Sequence, residues 1–176
     1  EAGYEVEIFA GTLPVPRDIL LEKVAEADAL LTDVDDIIDE EVVNVATRLK
    51  VVSNNAVGYD NIDVPLAGKN NIAVCNTPGV LSESVADFTW GLMIATARFI
   101  PHGANNVLTG GWTRFDPIPF LGFDLYQRTL GIVGLGEIGT AVAKRAVGFD
   151  MRILYFSKTR KFQLENQYGL QYCEFS

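Results

Sequence analysis

An apolar run, Leu130-Gly131-Ile132-Val133, leads directly into Gly134-Leu135-Gly136-Glu137-Ile138-Gly139 and then into a stretch of helical spacing that lasts to about Val147. Strand, glycine turn and helix in that order form the context that a dinucleotide-binding fingerprint requires. Its first glycine permits a tight turn, the second lets the backbone approach a pyrophosphate, and the third lets the helix lie close to the strand. The N–H groups of the first helical turn have no internal acceptors and offer an anion the positive end of the dipole. The plainer reading is a glycine-rich turn of no special use. A second apolar run from Arg152 to Phe156 completes a βαβ unit and favours the binding site.

The same alternation runs through the rest of the chain. Short β-branched runs take turns with helically spaced stretches, the pattern of parallel strands joined by crossover helices, so the fold class is α/β. The spacing predicts strands over Val6–Phe9, Ala29–Thr32, Lys50–Ser53 and Ile72–Val74. It predicts helices from Pro16 to about Ala27, over Asp39–Ala46 and over Asp63–Lys69. Asn76-Thr77-Pro78-Gly79 interrupts the pattern, because Pro lacks a donor and Gly admits a positive φ. A long helix opens at Ser82, its expected cap, and carries Val85, Phe88, Leu92 and Met93 at helical spacing. Leu108 to Gly122, rich in Gly, Pro and aromatics, has no period and reads as a seam.

Composition excludes several classes of function. The chain has 14 basic and 23 acidic residues, a formal charge of −9, which does not suit a surface that neutralises phosphates; DNA and RNA are not expected as partners. Phe88 to Ile100 is the most apolar stretch, and with Thr89, Thr96 and Arg98 it falls short of the ~20 residues of a membrane span. Cys75 and Cys173 give neither a disulfide framework nor a metal-ligand spacing, so a reducing cytoplasm and no metal are expected. The chain opens at Glu1 without a secretory signal and closes at Phe175-Ser176 without turn chemistry, and it reads as a piece of a longer protein.

Two further segments bear on chemistry. After the second glycine-turn strand, an NAD site usually carries an Asp or Glu about 20 residues on. Here Ser157 stands 18 residues beyond Gly139, followed by Lys158, Thr159, Arg160 and Lys161. A 2′-phosphate would meet hydroxyls and cations, so NADP(H) is favoured and NAD(H) stays possible; the alternative is a solvated basic turn. Asn54 to Asp63 follows a strand and contains Gly58, which lets consecutive N–H groups converge on a carboxylate. An ordinary turn with Asp63 capping the next helix fits the same residues. His102, at the end of the long helix, has no partner carboxylate and is not named a proton donor. Cys75 reads as a small buried hydrophobe, and Trp90 and Trp112 as packing residues. Asp33, Asp35, Asp36, Asp39, Glu40 and Glu41 read as a loop and a helix N-terminus.

Taken together, Asn55 to Asp63, Asn76 to Asp87 and Gly131 to Gly139 resemble the D-2-hydroxyacid dehydrogenases over essentially the whole chain. Phe120-Leu121-Gly122 and Arg152 to Lys161 resemble the glyoxylate/hydroxypyruvate reductase branch. The resemblance implies a flavodoxin-like substrate domain over residues 1–98, lacking its first strand, and the start of a Rossmann nucleotide domain over 99–176. It implies that Val57 and Gly58 offer N–H groups to the substrate carboxylate and that Val85 touches the dinucleotide. Gly134, Gly136, Glu137, Ile138 and Gly139 would hold the pyrophosphate, and Ser157, Lys158, Thr159 and Arg160 the 2′-phosphate. Trp112 to Gly122 matches a region that joins subunits, which implies a homodimer. The family's catalytic Arg, Glu and His belong to the C-terminal half of its pattern and match no position here, so no residue is assigned a catalytic role and the chain alone is expected to be inactive. Two other readings stay open: a non-enzymatic dinucleotide sensor of corepressor type, and a dehydrogenase of the same family acting on another substrate such as 3-phosphoglycerate or formate.

Overall fold

The computed structural model describes residues 3–175, which divide into two compact units, one ending at Val80 and the other beginning at Leu81. In the first, α1 (Arg17–Val24), α2 (Glu40–Val45) and α3 (Val64–Lys69) alternate with β1 (Ala29–Thr32), β2 (Val51–Asn54) and β3 (Ala73–Cys75). The strands form a parallel sheet in the order β1-β2-β3. Crossover helices of this kind supply the apolar stripe that a parallel sheet needs on its face. Leu20 and Val24 of α1, Val42 and Val43 of α2 and Val52 of β2 are buried together. Asp39 and Asp63 cap α2 and α3 by accepting from the N–H groups of Val42 and Leu66. Arg17 closes this end by pairing with both Asp39 and Glu41.

The expected strand at Val6–Phe9 does not form. Tyr4, Val6 and Ile8 are exposed, and the segment pairs with no strand. A β-branched alternation becomes a strand only beside a neighbour that takes its backbone hydrogen bonds. Cys75 is likewise exposed rather than buried, because it shares with Leu31 and Ser53 the face of the sheet on which Leu31 is also exposed.

The second unit contains α4 (Ser82–Ala97), α5 (Ile100–Leu108), β4 (Thr129–Val133), α6 (Glu137–Ala146), β5 (Arg152–Phe156), α7 (Phe162–Tyr168) and β6 (Gln171–Tyr172). Its sheet is parallel in the order β4-β5-β6, which is one half of a doubly wound sheet. Trp90 of α4 stacks on Phe149 at 4.6 Å and donates its indole N–H to the Val142 carbonyl of α6 at 3.1 Å. Arg145 of α6 pairs with Glu83 and Asp87 of α4. These contacts bind α4 to the second compact unit.

Three other sequence expectations are corrected. Phe99 takes a left-handed φ of 52°, so the long helix stops at Ala97 and His102 lies in a separate helix, α5, exposed and edge-on to Phe99. Ser82 is the first helical residue of α4 and caps nothing. Trp112 is exposed. α7 and β6 are additional elements, too short to show a period. No helix among the described residues is long and apolar enough to cross a membrane.

Candidate functional site

In the second unit the glycine turn follows β4 directly. Gly134 has a φ of +95°, a conformation that side chains strongly disfavour, and its N–H donates to the Phe156 carbonyl at 2.8 Å. Gly139 is required for a different reason: a Cβ there would overlap the Gly134 carbonyl oxygen and touch Ile132. At Gly136 an added Cβ would meet nothing, so the approach to this backbone is open. The first intrahelical bond of α6 runs from the Thr140 N–H to the Gly136 carbonyl at 2.9 Å, leaving the N–H groups of Glu137, Ile138 and Gly139 without intrahelical acceptors. A cleft of about 420 Å³ lies along β4 and α6, bordered by Gly134, Ile138 and Gly139 and by Thr89 and Met93 of α4. This combination of a left-handed turn, an open glycine and a helix N-terminus fits a pyrophosphate.

Two side chains qualify that picture. Glu137 sets a carboxylate at the same helix terminus, where the dipole favours it, and the Ser82 hydroxyl donates to it at 3.0 Å. The contribution Glu137 can make to an anion is its N–H. Val85, in the first turn of α4 and partly exposed, sits one turn from Ser82 and so belongs to the same neighbourhood.

The loop after β5 carries Ser157, Lys158, Thr159 and Arg160. Arg160 is engaged within the chain: its Nε and Nη2 donate to Glu165 at 2.8 and 3.0 Å, and its guanidinium lies over the rings of Phe162 and Tyr172. The ion pair with Arg160, followed by the Tyr155 hydroxyl, holds the Glu165 carboxyl below the usual carboxylate range. Tyr155 is fully buried, and its hydroxyl donates to Glu165 at 2.7 Å and accepts from the Lys161 N–H at 2.8 Å. Burial first, then Glu165, raises its own pKa. Lys158 and Thr159 are exposed, and among the described residues Lys158 forms no ion pair. Glu165 is not singled out by the sequence, where its one signal is its place five residues beyond Arg160.

In the first unit, Val57 and Gly58 lie in the loop after β2. Gly58 does not adopt a positive φ; an added Cβ would find only Asp60 Oδ2, 3.9 Å away, so the glycine here leaves space rather than permitting a turn. The loop is tied down by its carbonyls. The Ala56 carbonyl accepts from the Thr77 N–H, the Val57 carbonyl from Asn76 Nδ2 and the Gly58 carbonyl from Asn54 Nδ2, each at 2.8 Å. Asn54 is fully buried, and its Oδ1 accepts from the Thr32 hydroxyl at 2.9 Å. Its Nδ2 also reaches Asn61 Oδ1 at 3.1 Å, while Asn61 Nδ2 donates to the carbonyls of Asp33 and Asp36. Asn54, Asn61 and Asn76 were visible in the sequence only as turn-forming residues, and their convergence is a product of the fold.

Known proteins resemble the chain over nearly its whole length. The profile of the family described as D-isomer specific 2-hydroxyacid dehydrogenase, catalytic domain, matches residues 1–166. Glyoxylate reductase of Pyrococcus horikoshii is 47% identical over 176 residues, covering 98% of this chain and 53% of the relative. The crystal structure of the TT0316 protein from Thermus thermophilus superposes with a TM-score of 0.85 at 41% identity, covering 92% of this chain and 50% of that one. D-lactate dehydrogenase from Aquifex aeolicus, solved with NAD and lactic acid, gives 0.79 at 26% identity, over 91% of this chain and 46% of that one. The chain thus spans about half the length of the curated relatives it matches.

Proposed function

Because the chain belongs to the D-isomer specific 2-hydroxyacid dehydrogenase family, we propose that the whole protein reduces a small 2-keto acid, glyoxylate or hydroxypyruvate, to the 2-hydroxy acid with NADPH preferred over NADH. The observation that carries this reading is the pair of N–H cradles, one opening α6 and one at Val57-Gly58. The first suits a pyrophosphate and the second a carboxylate. The bound dinucleotide supplies the hydride, and the protein's contribution is binding and orientation. Gly134, Gly136 and the N–H groups of Glu137, Ile138 and Gly139 hold the pyrophosphate, with Val85 against the dinucleotide. The Val57 and Gly58 N–H groups grip the substrate carboxylate and so fix where the keto carbon lies. No residue of this chain is assigned as the proton donor.

The nucleotide preference rests on Ser157, Lys158 and Thr159 occupying the place after β5 where an NAD site carries a carboxylate. Arg160 adds a guanidinium held on the same loop by Glu165. A homodimer goes with the apolar side chains of Trp112, Phe115, Ile118, Leu121 and Phe123, all exposed in the segment between α5 and β4. Two unpaired thiols, Cys75 and Cys173, go with a reducing cytoplasm.

The test is the full-length protein with glyoxylate, following the absorbance of NADPH and of NADH in separate assays. A higher kcat/KM with NADPH is expected. Equal or better use of NADH overturns the preference, and no turnover with either nucleotide overturns the reaction.

A further inference from the structure

We propose that Asn76 is a positioning residue for carboxylate binding: by holding the Val57 carbonyl it turns the Gly58 N–H toward the substrate. The inference rests on the carboxylate reading above and adds the residue that aims the site. A trans peptide is planar, with its C=O and N–H pointing in opposite directions, so fixing one fixes the other. The carbonyls of Ala56 and Val57 are both drawn to one short segment, the first by the Thr77 N–H and the second by Asn76 Nδ2, each at 2.8 Å. The N–H groups of Val57 and Gly58 therefore face away from that segment, side by side, and neither donates to a protein acceptor among the described residues. Asn54 holds the next carbonyl, that of Gly58, and keeps the following peptide from turning with them.

Two of these three ties cannot be edited selectively. The Thr77 tie is backbone, and Asn54 is fully buried with its own amide network. Asn76 is half-buried, and among the described residues its side chain makes a single hydrogen bond, to the Val57 carbonyl. Its amide faces a carbonyl oxygen, which accepts only, so the atom there is the NH2 nitrogen. Without that donor the 57–58 peptide loses its restraint, and rotating it would set a carbonyl where the substrate carboxylate needs an N–H.

The experiment uses the full-length protein saturated with dinucleotide and titrated with oxamate, a substrate-shaped carboxylate that is not reduced, by calorimetry. Loss of one well-placed hydrogen bond predicts that Asn76→Ala binds oxamate about tenfold more weakly. Asn76→Asp, equal in shape but presenting an acceptor to the Val57 carbonyl, is expected to bind it more weakly still. Dinucleotide affinity stays at the wild-type value in both. Unchanged oxamate affinity in Asn76→Ala overturns the inference, as does a joint fall in oxamate affinity, dinucleotide affinity and thermal midpoint, which marks a general loss of structure. A wild-type protein that binds dinucleotide but no oxamate overturns the carboxylate reading and this inference with it.

Discussion

Both glycine loops leave backbone N–H groups without an acceptor, yet they reach that state by different means. Around Gly134 to Gly139 the main chain does the work: a left-handed glycine makes the turn, a second glycine admits the helix against the strand, and the helix terminus supplies the donors. Around Ala56 to Gly58 no helix starts and no glycine is left-handed. Side-chain amides and one N–H fasten the carbonyls, and the donors are what remains. The first arrangement is limited by volume and backbone conformation, the second by the supply of donors behind it. A substitution that ruins one is therefore expected to pass almost unnoticed in the other.

The largest effect is expected from Gly139→Ala. Its methyl would overlap the Gly134 carbonyl, forcing α6 from β4 at a cost of about 1–3 kcal/mol and weakening dinucleotide binding. Urea denaturation and NADPH titration of the full-length protein measure both, and wild-type values for the two would show that the close approach is dispensable. Gly58→Ala is the matching change in the other loop. With no left-handed φ and no clash, it should alter stability by less than about 0.5 kcal/mol. Its methyl enters the open space before the N–H groups, so the KM for glyoxylate should rise several-fold. A fall in stability comparable to that of Gly139→Ala would erase the distinction between the loops.

The smallest effect concerns pH. The carboxyl of Glu165 is depressed by Arg160 and Tyr155, so its stabilising contribution is present above the unfolded glutamate value of about 4.3 and is lost as pH falls through the lower folded value. Glu165→Gln has no such titration. Thermal midpoints of the wild type should drop more steeply than those of the variant between about pH 5 and 3. Asp28 and Asp39 are depressed by their own cations and titrate in both proteins, so the difference is modest. Parallel curves would mean that Glu165 is not selectively stabilised.

The sheets and their helices are largely legible, because burial on a parallel sheet writes itself as apolar runs of fixed period: the expectations for Ala29–Thr32 and Arg152–Phe156 match to the residue and those for β2, β3 and β4 to within one, while the two-residue β6 leaves no signal. What misled was pattern without a partner. Val6–Phe9 has the alternation of a strand but nothing beside it to pair with, and Trp112 is a large aromatic on a segment that leaves it exposed. The break at Phe99 was hidden because a left-handed phenylalanine leaves no compositional trace. In the sites, glycine spacing disclosed the turn before α6, since volume limits act locally. The fastening of the Val57 carbonyl lay out of reach: Asn76 is 19 residues from Val57 and meets it only once β2 and β3 have paired.

Tyr155 links two properties that could otherwise vary separately. Its ring fills the interior of the second sheet while its hydroxyl tethers both the Lys161 amide and Glu165, and through Glu165 the guanidinium of the basic loop. Redrawing that loop therefore disturbs the interior as well, because one of its moorings is a core residue. On the proposed nucleotide reading, selection on cofactor choice is also selection on interior packing.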